Sequence, residues 1–294
     1  MGVLYVTYTL DGLLAIAMPI ALGIYLVRHF DLEGRYWWIG AAVFILSQIG
    51  LLPFNNYVLN PFLNNLSGAT VLPSYAVLAV GALAIGLSTG LWEELFRYGM
   101  FRWWAKTARS WADGLLLGTG HGGAEAIFLG LLVLYNFINM IMYRNLDLST
   151  LLPADQFQAA QAQVNAFWSA PWYSTLLDAV RSLFTIPAQI CFTLIVLQTF
   201  VRKQWYWLWL AVGFHALFEA ATVVAQNLLN IYLTDAVIGV FGVLGVVIIV
   251  ALRQPAVAGQ VSSLPSPSPG TYRMRSEPKT VEERIRELKE DKDR

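Results

Sequence analysis

The stretch Gly114–Ile138, GLLLGTGHGGAEAIFLGLLVLYNFI, decides the fold class. It stays apolar for longer than the roughly 20 residues a helix needs to cross the hydrocarbon of a bilayer. It nevertheless holds His121 and Glu125, four residues apart. Side chains at that spacing lie on one face of a helix. The stretch therefore reads as a membrane helix with a polar spot on one side. Six comparable runs flank it, and together they predict spans at roughly 4–27, 36–58, 72–97, 111–138, 174–200, 205–228 and 232–252. In lipid each segment must satisfy its own backbone polar groups, so each span should be a helix. There are no ten-residue segments of alternating polarity, which argues against a membrane β-barrel. The expected fold is all-α: a polytopic transmembrane bundle of about seven to eight spans. Residues 139–173 are the one place for an extra interfacial helix.

Composition agrees. The chain is 57% hydrophobic and 13% charged, against about 25% charged in an ordinary soluble protein. Net charge is zero, so no basic face exists for nucleic acid. The single cysteine, Cys191, precludes an internal disulfide and reads as a small core or lipid-facing residue. Met1–Leu10 contains no Lys or Arg and the apolar stretch runs on to Val27, unlike a cleavable signal peptide.

Basic residues concentrate in alternate loops: Arg28 and Arg35; Arg102, Lys106 and Arg109; Arg202 and Lys203. By the positive-inside rule the N-terminus is expected outside and the C-terminus in the cytoplasm of a plasma membrane. Residues 1–252 form the expected transmembrane domain. Residues 253–294 form a flexible linker, rich in Pro, Ser, Ala and Val, followed by a charged cytoplasmic tail.

An ionisable group inside the bilayer costs on the order of 2.5–3.5 kcal/mol by insertion scales. This chain repeats the expense. His215 and Glu219 reproduce the His121/Glu125 spacing in VGFHALFEA, and a third run ends in Trp92-Glu93-Glu94-Leu95-Phe96-Arg97. Taken singly, each His/Glu pair reads as an interhelical hydrogen bond; taken together they point to one site. Counting at 1.5 Å per residue, all these groups lie at overlapping depth below the basic loops, in one shared cavity expected to face the cytoplasm. Glu93 and Glu94 point about 100° apart, so one is expected to do chemistry and the other to pair with Arg97. Gly118, Gly120, Gly122 and Gly123 read first as close helix packing.

Two imidazoles with carboxylates from separate helices make a zinc site, His121, His215, Glu125 and Glu219 being the candidate ligands, with a further glutamate to take a proton from water. A buried glutamate could also activate water without metal. Either form hydrolyses a bond brought into the membrane. Asp178 and Arg181 read as a structural ion pair, and Asp11 and Asp113 as interfacial.

On these three motifs the chain resembles intramembrane proteases of the CAAX prenyl endopeptidase and PrsW group. It resembles most the YhfC family of intramembrane metalloproteases, in which Gly-His-Gly-Gly-x-Glu is typical. Gly120–Glu125 matches that pattern, and Ser47-Gln48 followed by Pro53 is also similar to that family. The resemblance covers roughly residues 1–250. It implies that Glu93 or Glu94 activates water and that His121 and His215 bind metal or stabilise an oxyanion. The chain departs from the pattern at Glu219, where Asn or Asp is usual, and at Gln189, where a histidine is usual. The implied activity is an intramembrane endopeptidase acting on a membrane-embedded or membrane-associated peptide. A proton-coupled transporter, which would show inverted repeats and broken helices, and a non-catalytic membrane scaffold are the alternatives.

Overall fold

Long apolar runs in a chain with no strand-period alternation leave the helix as the way to bond the backbone internally. The computed structural model, which describes residues 2–69 and 73–253, is helical throughout its described secondary structure. The elements are α1 (Gly2–Phe30), α2 (Arg35–Phe54), α3 (Asn60–Ala69), α4 (Ser74–Gly99), α5 (Trp111–Asn145), α6 (Leu148–Leu151), α7 (Ala154–Trp168), α8 (Leu177–Val201), α9 (Tyr206–Leu228) and α10 (Ile231–Ala251). Single π-helical turns, Asn55–Leu59 and Met100–Trp104, extend α2 and α4. Among the described residues seven helical segments are long and apolar enough to cross a membrane. Residues 139–173 do contain additional helices, α6 and α7, but at four and fifteen residues neither is among those seven. The expected linker and charged tail, from Gln254 on, lie outside the described residues.

Five helices form a ring: α2 packs on α4 and α5, α4 on α9, and α8 on both α5 and α9. Outside it, α1 lies against α5 and α10 against α8. The ring closes tightly where side chains are missing. A Cβ at Gly40 would collide with the Leu117 carbonyl oxygen, and one at Gly120 with the carbonyl oxygen of Trp37, so α2 and α5 meet backbone to backbone. Gly86 meets the Ala216 carbonyl in the same way and joins α4 to α9. The glycines around His121 are thus packing residues, as expected.

The helix ends are capped by side chains. Ser110 and Asp113 form a reciprocal capping box at the start of α5. The Asn230 side chain accepts from Leu233 N–H at 3.0 Å at the start of α10. Arg109 donates to the carbonyls of Phe101, Ala105 and Ala108 at 2.8–3.0 Å, which closes the end of the α4 extension. Its partial burial pulls its guanidinium below the usual arginine range. Asp11 departs from expectation. It is buried rather than interfacial, because its carboxylate reaches across from α1 and accepts the Ala179 N–H at 2.7 Å, capping the first turn of α8 from another helix.

Candidate functional site

The ring encloses the polar groups of α4, α5, α8 and α9. Glu93, Glu94 and Arg97 follow one another down the inner face of α4, and all three are buried. Arg97 does not choose between the glutamates: its guanidinium donates to Glu94 Oε1 and, at 3.3 Å, to Glu93 Oε2. The expected division into one reacting glutamate and one arginine partner is therefore not what forms. A fork with two terminal nitrogens spans the 100° between successive side chains.

The two histidines reach the pair from opposite sides. His121 Nε2 lies 3.0 Å from Glu93 Oε2. His215 Nδ1 lies 2.6 Å from Glu94 Oε1. A carboxylate accepts, so Nδ1 of His215 donates to Glu94, and Nε2 is the ring nitrogen left outside that bond. That Nε2 is buried without a hydrogen-bond partner, 4.0 Å from Glu93 Oε2 and 3.8 Å from Glu219 Oε1. Aromatic rings fix both imidazoles. Phe192 stacks on His215 with ring centroids 4.3 Å apart, and Phe44 meets His121 edge-on at 5.4 Å.

Two amides complete the network. Gln48, on α2, donates to Glu93 Oε1 at 3.0 Å. Gln189, on α8, accepts from Arg97 and donates to Glu125 Oε2 at 2.7 Å. Of the residues expected in the site, Glu93, Glu94, Arg97, His121 and His215 meet in direct contact. Glu219 stands beside His215, and Glu125 joins through Gln189 rather than through His121. The bridging role of Gln189 was not foreseen. Its signal is a primary amide within an apolar run, with a donor and an acceptor on one side chain. Asp178 and Arg181 pair at 2.9 Å as expected, and Arg181 also holds Asp235 at 2.8 Å, away from the site on α10.

The cluster is covered at one end and partly exposed at the other. Towards the loops that carry Arg35, Lys106 and Lys203, hereafter the basic end, it is covered by Phe101, Leu116, Leu117, Leu194, Leu197 and Leu208, all at most 2% exposed. This differs from the cavity mouth expected on that side. Leucine and phenylalanine from four segments interlock there as a continuous apolar plug. The members of the network with partial exposure are Gln48, Glu125 and Glu219, and each lies on the side away from the plug.

The fit to a metal can be judged from these atoms. Among the described residues no group of three or more His, Cys, Asp or Glu side chains is placed so that it could hold a metal ion as it stands. The donor chemistry fits nonetheless: two imidazoles and carboxylates are the nitrogen and oxygen set that zinc takes. Tetrahedral bonds of about 2.0–2.1 Å place neighbouring donor atoms about 3.3 Å apart. Three neighbouring separations lie around that value: His121 Nε2 to Glu93 Oε2 at 3.0 Å, Glu93 Oε2 to His215 Nε2 at 4.0 Å, and His215 Nε2 to Glu219 Oε1 at 3.8 Å. His215 Nε2, buried without a hydrogen-bond partner, is an atom of the type that binds zinc.

A family model described as YhfC intramembrane metalloprotease matches residues 14–241, a stretch that contains every residue of the network. A Bacillus subtilis (strain 168) protein named "Uncharacterized membrane protein YhfC" is 30% identical over 225 residues, covering 74% of this chain and 83% of its own length. No solved structure matches.

Proposed function

Since the chain belongs to the YhfC intramembrane metalloprotease family, we propose that it is a zinc-dependent peptidase of the plasma membrane, with its basic end in the cytoplasm, cutting a peptide bond inside the bilayer. The observation that carries this reading is the meeting of Glu93, His121 and His215 at 3.0–4.0 Å in a buried, five-helix enclosure.

In this reading His121, His215 and Glu93 hold the ion, and Glu219 is the next carboxylate within reach. Bound zinc supplies a Lewis acid that polarises a carbonyl and makes water a nucleophile near neutral pH. Glu93 suits a ligand better than a proton acceptor, because Gln48, Arg97 and His121 already address its two oxygens. Glu94 orients His215 through Nδ1, the carboxylate–histidine arrangement that fixes a ligand's tautomer. Arg97 compensates both carboxylates and keeps them in register. That leaves Glu219, partly exposed and in contact with no arginine, to take the proton from water and return it to the leaving amine. Gln189 ties Glu125 to Arg97 and so holds α5 and α8 at the site. The roles expected for the glutamates are thereby exchanged: the pair on α4 binds and orients, and the glutamate on α9 moves the proton.

The transporter alternative loses support from the same helices. Transporter sites are typically built on discontinuous helices, whereas α4, α5, α8 and α9 run unbroken past the polar groups.

Metal content and peptide cleavage by the purified protein in proteoliposomes test the proposal together. Glu219→Gln is expected to keep its zinc and lose cleavage by about 100-fold or more, the usual worth of a general base. His121→Ala and Glu93→Gln are expected to lose both. Wild-type levels of zinc in both of the latter variants would overturn the assignment.

A further inference from the structure

Towards the basic end, Gly23 of α1 lets the Trp37 ring of α2 lie against its backbone, since a Cβ there would stand 2.6 Å from Trp37 Cδ1. Beside that contact lies a groove of about 600 Å³, walled by Ile20, Ile24 and Val27 of α1, Trp37 and Trp38 of α2 and Ile127 of α5. A second, shallower groove of about 560 Å³ runs along the other flank of α1, walled by Ala21, Ile24, Tyr25 and His29. The His29 ring stacks on Tyr25 with centroids 5.2 Å apart and stiffens that wall. Two residues line both grooves, Ile24 and Arg28. They are four apart, so they form one ridge between the grooves, with the cation in the last turn of the helix. Arg28 is exposed, and among the described residues it has no ion pair or hydrogen bond. Other arginines of the same end are engaged: Arg35 with Glu33 at 2.6 Å, Arg109 with backbone carbonyls and Arg202 with Gln198 at 3.0 Å.

We propose that this ridge binds one two-chain anionic phospholipid of the leaflet at the basic end, with its phosphate on Arg28 and one acyl chain in each groove astride Ile24. Lipid covers every outward face of a membrane helix. A particular lipid is retained where the apolar surface is concave, because tails are as apolar as leucine and packing contacts decide. Here two concave surfaces flank one free cation, and a glycerophospholipid presents two chains beneath one phosphate. The depth agrees. From Arg28 to Ile20 is eight residues of helix, about 12 Å, against about 15 Å for half of the hydrocarbon core. The charge agrees too. A guanidinium fork matches a phosphate, and a head with no ammonium brings no second cation to compete for it. The neighbouring acids leave that fork open, since Glu33 is held by Arg35 and Asp31 forms no ion pair among the described residues. Trp37, a wall of the first groove, packs its carbonyl on Gly120 beside His121. A bound lipid therefore braces α2 against the helix that carries one histidine of the network. Such a site is independent of peptidase activity.

Native mass spectrometry of the full chain in neutral detergent, titrated with defined lipids, tests the site. One dioleoyl phosphatidylglycerol is expected to bind at least about fivefold more tightly than dioleoyl phosphatidylcholine, the weight of one basic residue facing an anionic head. Arg28→Gln is expected to bring the two lipids level. Arg102→Gln removes an exposed arginine of the same end that lines neither groove, and is expected to keep the preference. Ile24→Trp adds bulk on the ridge and is expected to weaken retention of phosphatidylglycerol. Ile49→Trp, at a 65% exposed position of α2 outside both grooves, is expected to leave it unchanged. The one-chain lyso form should bind more weakly than the two-chain lipid, and glycerol phosphate, the head without chains, should displace nothing. Equal retention of the two lipids by the wild type, or a preference that survives Arg28→Gln or is lost equally in Arg102→Gln, would overturn the proposal. So would equal effects of the two tryptophan variants, lyso lipid binding as tightly as the two-chain form, or displacement by glycerol phosphate, which would mark a plain phosphate site.

Discussion

Replacing Gln189 by leucine should weaken the folded bundle in a way that separates bonds between helices from bonds within them. Gln189 is 2% exposed and joins α8 to two other helices, accepting from Arg97 of α4 and donating to Glu125 of α5. In membrane proteins such interhelical side-chain bonds average about 0.6 kcal/mol and reach about 1.7 kcal/mol, because separated helices find other partners. Two of them, both to ionisable groups, give about 1–3 kcal/mol for Gln189→Leu. Leucine nearly conserves the volume, so a cavity adds little. Thr193→Val, one turn further along α8, is the matched control. Thr193 is fully buried and its hydroxyl donates to the Gln189 carbonyl at 2.9 Å, within the same helix. That bond persists when helices separate, so its loss should cost less than about 0.5 kcal/mol. Reversible unfolding by a denaturing detergent, followed by tryptophan fluorescence, measures both. If the two variants fall within about 0.5 kcal/mol of each other, the level of an ordinary neutral change, then Gln189 is not the bridge described here.

Three further outcomes follow from the packing. Gly120→Ala should destabilise by about 1–3 kcal/mol or more in the same unfolding assay, since its Cβ would meet the backbone of α2, which cannot step aside as a side chain would. Gly213→Ala, where nothing lies within 4 Å, should instead be neutral or gain up to about 1 kcal/mol. Asp11→Ala should cost about 0.5–2 kcal/mol through the lost cap on α8, and Asp11→Asn, which keeps an acceptor for Ala179 N–H, should recover most of it.

The legible parts of the molecule were those that one helix determines alone. Seven apolar runs gave seven spanning helices, and the four-residue spacing put His215 and Glu219 within 3.8 Å, because both depend on a period internal to the segment. What escaped the sequence depends on how helices turn against each other. Glu125 shares a face with His121 yet is held by Gln189, because Gly118 and Gly122 let α8 approach until Ile190 and Gln189 fill the space beside them. Asp11 looked interfacial by its place near a span end, but its partner is a backbone N–H that begins another helix 168 residues later. Which end of the cluster is covered was hidden for the same reason. Counting residues places the histidines at one depth from the basic loops, and depth suggests the nearer surface as the entrance. The covered end is instead the one that the leucines fill. Leu116 and Leu117 on α5, Leu194 and Leu197 on α8 and Leu208 on α9 are unremarkable apolar residues in their own runs, and they close the shorter route only when three helices bring them together. A polar network beneath such a plug has its partly exposed members, Gln48, Glu125 and Glu219, at the other end, so the hydrophobic packing that stabilises one end also determines which end of the network stays uncovered.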